Sequence, residues 1–142
     1  MCFEIEENNS GIQALDLFPK YVNVFDCIHI YAEQSISDQK VLHAAAIAAE
    51  LLDNNEDGII DDDNVKNALM SLYTIMPLFA YEGSNAEDIL FDSFEELMDN
   101  NNFCAGAVLY NNEIDPSSPG FWGDDASLEE ILHTINACSH VE

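Results

Sequence analysis

Arginine is absent from this 142-residue chain, and lysine occurs only at Lys20, Lys40 and Lys66, against 28 acidic residues. The resulting formal net charge of −25 repels phosphate backbones and anionic lipid, which excludes nucleic acid and membranes as partners. Divalent cations and cationic proteins are what such a surface attracts. No CxxC or zinc-ribbon spacing links Cys2, Cys27, Cys104 and Cys138, so each is expected as a small apolar core residue. In an oxidising compartment two disulfides would be possible, and the spacing does not choose between pairings. No basic segment followed by an apolar run opens the chain, and no stretch approaches membrane-spanning length, so the expectation is a soluble protein without a signal peptide or transmembrane segment. GxSxG, a phosphate-cradling glycine loop and a dinucleotide fingerprint are all missing, which leaves serine hydrolase and nucleotide-dependent activities unsupported.

What the chain does have is apolar substance. Hydrophobic residues make up 48% of it, too many for a disordered acidic tail, and the length suits a single domain over residues 1–142. Tyr21 to Tyr31 is rich in β-branched and aromatic residues, with Val22, Val24, Ile28 and Ile30 in period two; this predicts one strand, or two short ones bent at Asp26. His29 falls on the opposite face from Ile28 and Ile30, as a surface or half-buried strand residue. Ser35 to Asp38 supplies caps for a helix to Leu52 whose apolar side chains cover nearly its whole circumference, so it is expected to be central and buried. A second helix is expected from Asp62 to Met76, ending before Pro77. Ser84 with Glu87, and Ser127 with Glu130, form capping boxes that open helices to about Asp99 and Ser139. Phe103 to Tyr110 is ambiguous between strand and helix, and Asn111 to Gly120 is a loop. The fold class is therefore expected to be α+β and mostly helical, with a buried central helix and a small β element near the N-terminus.

Between the first two helices lies Asp53-Asn54-Asn55-Glu56-Asp57-Gly58-Ile59-Ile60-Asp61-Asp62-Asp63-Asn64. Oxygen-bearing side chains stand at the first, third, fifth and ninth places, Asp53, Asn55, Asp57 and Asp61. Gly58 is sixth, where the chain must turn sharply, Ile59 offers a backbone carbonyl at the seventh, and Ile60 should enter the core. Six carboxylates crowd into eleven residues here, and only Lys66 is near to offset them. The stretch resembles the EF-hand and dockerin-type calcium loops, and Ala45, Ala48, Ala49 and Leu52 before it, with Val65, Ala68, Leu69 and Leu72 after it, supply the helical flanks. The resemblance implies Ca2+ held by Asp53, Asn55, Asp57, Ile59, Asp61 and Asn64. It departs from the family at the twelfth place, where Asn64 gives one neutral oxygen instead of a carboxylate, so weaker binding is expected, with Asp62 or Asp63 as stand-ins. A plain acidic helix-to-helix turn ended by Gly58 is the ordinary alternative. The runs Lys40 to Gly58 and Ser127 to His133 also resemble segments of a group of acidic proteins, a likeness that brings no activity with it.

A second constellation is sparser. His43 and Glu50 share one stripe of the first long helix, and Glu129, His133, Asn136 and His140 share one stripe of the last. If these stripes face each other, His43, Glu50, Glu129 and His133 could hold Zn2+ or another transition metal, with His133 and Glu129 or Glu130 as ligands or base. A solvated helix face explains the same residues. Three readings of function follow: a structural calcium-binding protein, a metal-dependent hydrolase, and an acidic module for a basic protein partner.

Overall fold

The computed structural model describes residues 3–55, 57–116 and 125–139. Strands β1 (Glu6–Glu7), β2 (Lys20–Val24), β3 (Ile28–Ala32), β4 (Tyr73–Phe79), β5 (Phe103–Cys104) and β6 (Leu109–Tyr110) alternate with helices α1 (Asp38–Leu52), α2 (Asp63–Ser71), α3 (Asn85–Asn101) and α4 (Ser127–Ser139). The strands form one mixed sheet in the order β1-β2-β3-β4-β5, with β6 also on β4. The β1, β2 and β3 pairings are antiparallel, and β3, β5 and β6 run parallel to β4. Among the described residues no helix is long and apolar enough to cross a membrane.

This corrects the expectation of a mostly helical domain with a small N-terminal β element: a six-stranded mixed sheet is the middle layer, and helices pack on both of its faces. Side chains alternate across the sheet. Val22, Val24, Ile28, Ile30, Met76 and Leu78 join α1 and α4 in one core. Tyr31, Ile75, Phe79 and Phe103 join Ala86, Leu90 and Leu97 of α3 and Leu15 of a 3-10 turn (Gln13–Leu15) in the other. Every residue of β3 is buried, as befits a strand covered on both faces. The expected bend appears as a hairpin turn: Phe25 and Asp26 adopt left-handed φ of 57° and 59°, bracketed by Asn23 and Asp26 side chains bonded at 2.7 Å.

The second helix is shorter than its spacing predicts. It stops at Ser71, and Tyr73 to Phe79, including Pro77, forms the strand at the centre of the parallel pairing. A proline is tolerated there because of the parity of the ladder. The Leu78 carbonyl accepts from Glu33 N–H on the β3 side, while Tyr73 N–H donates to Asn102 on the other side. Residues two and four further on from Tyr73 therefore direct their amides away from β3, and the missing N–H of Pro77 falls between Thr74, which pairs with β5, and Leu78, which pairs with β6. No ladder bond is lost.

Helix α1 is not buried all round either. Val41, Ala44, Ala45, Ala48 and Leu52 face the core, but Ala46 and Glu50 are exposed. Helix α3 starts as expected, Ser84 Oγ accepting from Glu87 N–H at 3.2 Å. The Glu87 carboxylate reaches past the cap to Gly83 N–H at 2.8 Å and also accepts from the Tyr110 hydroxyl. Helix α4 begins at Ser127, one residue before its expected start. Cys104 and Cys138, expected as separate core residues, form a disulfide with Cα atoms 5.9 Å apart. Cys27 is buried and free. Cys2, Glu56 and His140, and the loop residues Ser117 to Gly120, lie outside the described residues.

Candidate metal centre

The loop is built from its first residue outward. Asp53 is the C-cap of α1, only 3% exposed, with its N–H on Ala49 O at 2.8 Å. Its two carboxylate oxygens accept from Asp57 N–H at 3.2 Å and Gly58 N–H at 2.7 Å. Gly58 has φ 84°, a conformation that a Cβ would oppose. Asn55 Oδ1 accepts from Asp57 N–H at 3.2 Å, Asp57 Oδ1 from Ile59 N–H at 2.8 Å, and Asp61 Oδ2 from Asn54 N–H at 2.8 Å. The loop closes through Asp61 N–H on Leu52 O at 2.9 Å. Ile59 is 66% exposed, and Ile60 beside it is 8% exposed and part of the core. Ile60 anchors the loop to the domain, while Ile59, the residue before it, stands at the surface.

One oxygen from each of Asp53, Asp57 and Asp61 lies within 4.8 Å of the others; among the described residues no other three His, Cys, Asp or Glu side chains converge so closely. Two like charges about 4 Å apart repel by about 1 kcal/mol in water and severalfold more at lower dielectric. Asp53 is the buried member of the trio and Asp57 and Asp61 are exposed, so the group opens to solvent on one side. Asn64 is the second residue of α2. It borders a depression shared with Asn67, Ser71 and Ser139, and its N–H, like that of Val65, is capped by Asp62 Oδ1 at 2.8 and 3.3 Å. Asp62 is thereby committed to starting α2.

No known family model matches the chain, and neither does any curated protein or solved structure. What can be said of the loop therefore rests on its own geometry.

The second constellation is dispersed. Glu50, Glu129 and His133 are exposed, and His133 Nδ1 lies 3.5 Å from Glu130 Oε1 on its own helix. His43 Nε2 is 2.7 Å from Oδ2 of Asp125, a residue absent from the sequence-based set. Asp125 is 8% exposed, and its Oδ1 also accepts from the amides of Ser127 at 3.2 Å and Asp115 at 3.3 Å. Burial pushes the Asp125 carboxyl up, but the bonds from His43 and these amides outweigh it and hold the group below the ordinary carboxylate range. The pair ties the start of α4 to α1. Only a residue placed to cap α4 signals this in the sequence, and its partner stands 82 positions away.

His29 is buried too. Its ring stacks between Tyr21 and Tyr73, with centroids 5.9 and 4.2 Å away, and a 2.7 Å hydrogen bond joins Nδ1 to the Tyr21 hydroxyl. The Tyr31 and Tyr73 hydroxyls bond beside it. Burial lowers the His29 pKa from its ordinary 6.5, with Asp26 acting weakly the other way. A depressed folded-state pKa means that the unfolded chain binds the proton first. The contribution of His29 to stability is then complete above the ordinary value and is lost as pH falls through the folded one. Wild type minus His29→Gln, compared by urea unfolding between pH 7.5 and about 5, should show wild type losing its advantage on acidification. A pH-independent difference would remove this account of the ring.

Proposed function

We propose that the chain binds calcium through residues 53–64, and that the ion serves as a structural clamp between α1 and α2. The observation that carries this reading is the convergence of Asp53, Asp57 and Asp61 at the end of α1, across a turn that Gly58 alone makes without strain. Calcium takes six to eight oxygen ligands. Asp53, Asn55, Asp57 and Asp61 would supply side-chain oxygens and Ile59 a carbonyl, with Asn64 or solvent completing the shell. Lacking a bidentate carboxylate at the twelfth place, the loop should bind in the range of roughly 0.1–1 mM typical of extracellular modules rather than in the sensor range. The Cys104–Cys138 disulfide supports an oxidising compartment as its setting. A sensor would carry paired loops and a methionine-lined groove that opens; one loop closed through Leu52 O and a core Ile60 favours a fixed clamp.

Thermal melting tests it. At calcium a hundredfold above Kd the folded state gains about 2.7 kcal/mol, a rise in Tm of roughly 10 °C for a chain of this size. The comparison needs sodium chloride at equal ionic strength, because any salt relieves a charge of −25. Asp57→Asn and Asp61→Asn, which keep shape and remove charge, should each abolish most of the calcium-specific rise. Equal melting in calcium and in matched sodium would end the proposal.

A further inference from the structure

We propose that the groove between the 3-10 turn and α3 is the docking site for a cationic amphipathic helix of a protein partner. The groove encloses about 600 Å³. Ile12, Leu17, Ile89 and Leu97 line it, with Asp16 and Glu96 at its rim. Leu17 is 46% and Ile89 43% exposed, while Leu97, at 6%, is buried, so two of its four apolar side chains are open to solvent. From Ile89 to Asn101 it follows α3 for roughly 18 Å, about three turns of a second helix laid alongside.

Charge identifies the occupant. Glu96 lines the groove together with Asp16; Asp88, Asp92, Glu95 and Asp99, further round α3, are exposed as well, and the helix contains no lysine to offset them. At spacings of three and four residues these carboxylates repel one another. Two of the three lysines are held elsewhere, Lys20 by Asp38 at 2.9 Å and Lys40 by Asn111 at 2.8 Å, and Lys66 belongs to α2, which packs with α4 away from the α3 core. A second copy of the chain would bring another −25 charges and is disfavoured as the occupant. A helix with leucines on one face and lysines on its flanks satisfies both surfaces at once: apolar burial in the groove and ion pairs along its rim.

The test uses the full chain and two fluorescent 18-residue peptides of identical Leu/Lys composition, one patterned as an amphipathic helix and one scrambled. In anisotropy titrations near physiological salt, the patterned peptide should bind about tenfold or more tighter than the scrambled one. Ile89→Asp should erase that preference, and Glu96→Lys should weaken the patterned peptide several-fold. Glu50→Lys, an identical charge reversal on α1, should leave the preference intact. Circular dichroism checks that each variant folds, and Glu96→Lys, at a solvent-exposed position, serves should Ile89→Asp not fold. Equal binding of both peptides, or equal effects of Glu96→Lys and Glu50→Lys, would show attraction by net charge alone and overturn the proposal.

Discussion

Replacing Cys104 and Cys138 together by alanine is expected to lower stability by about 4 kcal/mol. The bond spans 34 positions, and a closed loop of that length removes close to this much entropy from the unfolded chain at 25 °C. It also fastens β5 to α4, which among the described residues otherwise meets the sheet through packing and a hydrogen bond from Thr134 Oγ1 to Met76 Sδ at 3.4 Å. For a chain of this length the midpoint should drop by roughly 15 °C, and a thiol reductant should produce the same drop in wild type and none in the double variant. Unfolding in urea with and without reductant reads both arms. A wild type indifferent to reductant, melting with the double variant, would remove the crosslink from the account of this fold.

The other large effect is expected at Gly106, on the link between β5 and β6. A Cβ there would stand 2.7 Å from Thr134 Cα, 2.8 Å from the His133 carbonyl and 2.8 Å from Ala137 Cβ. Two of these three are backbone atoms of α4, which cannot rotate aside, so Gly106→Ala must push the helix off the sheet. Overpacking of this kind costs about 1–3 kcal/mol and sometimes more; three contacts, two of them with backbone, place this case at the upper end. Gly106→Val should be worse. Because the disulfide pins α4 to the same segment, the cost of Gly106→Ala should fall by about 1 kcal/mol when Cys104 and Cys138 are alanines, a coupling that a double-mutant cycle in urea measures. Wild-type stability in Gly106→Ala would mean that α4 sits less tightly than the geometry states.

The parts of this molecule legible in its sequence are those whose causes are local. Loop 53–64 announces itself because its oxygens, its glycine and its flanking helices lie within one window, and the same holds for the Ser84 cap and the turn at Asp26. Strand β4 was hidden for the opposite reason. Val65, Ala68, Leu69 and Leu72 run on at helical spacing, and Pro77 argues against a central strand until its side of the ladder is known to go unpaired at that position. That knowledge comes from β5 and β6, which hold two residues each and carry no periodic signal. The mostly helical reading comes from β4, β5 and β6 together being hidden, since without β4 the hairpin has no parallel partner. His43 and Asp125 illustrate the same limit within a polar pair: stripe geometry directed His43 toward Glu50 and His133, while the partner sits just ahead of α4, where only the tertiary fold brings it to α1.

The sheet begins at β1 with Glu6 and Glu7, both exposed, and this has a bearing on concentrated solutions of the protein. An outermost strand ordinarily offers unpaired amides and carbonyls on which a neighbouring molecule can add a strand, the first step toward fibrils. Here the offer is two residues long and each carries a carboxylate. An incoming molecule would have to set its own glutamates against them for a gain of a few backbone bonds, so the terminal rung acts as a guard against polymerisation.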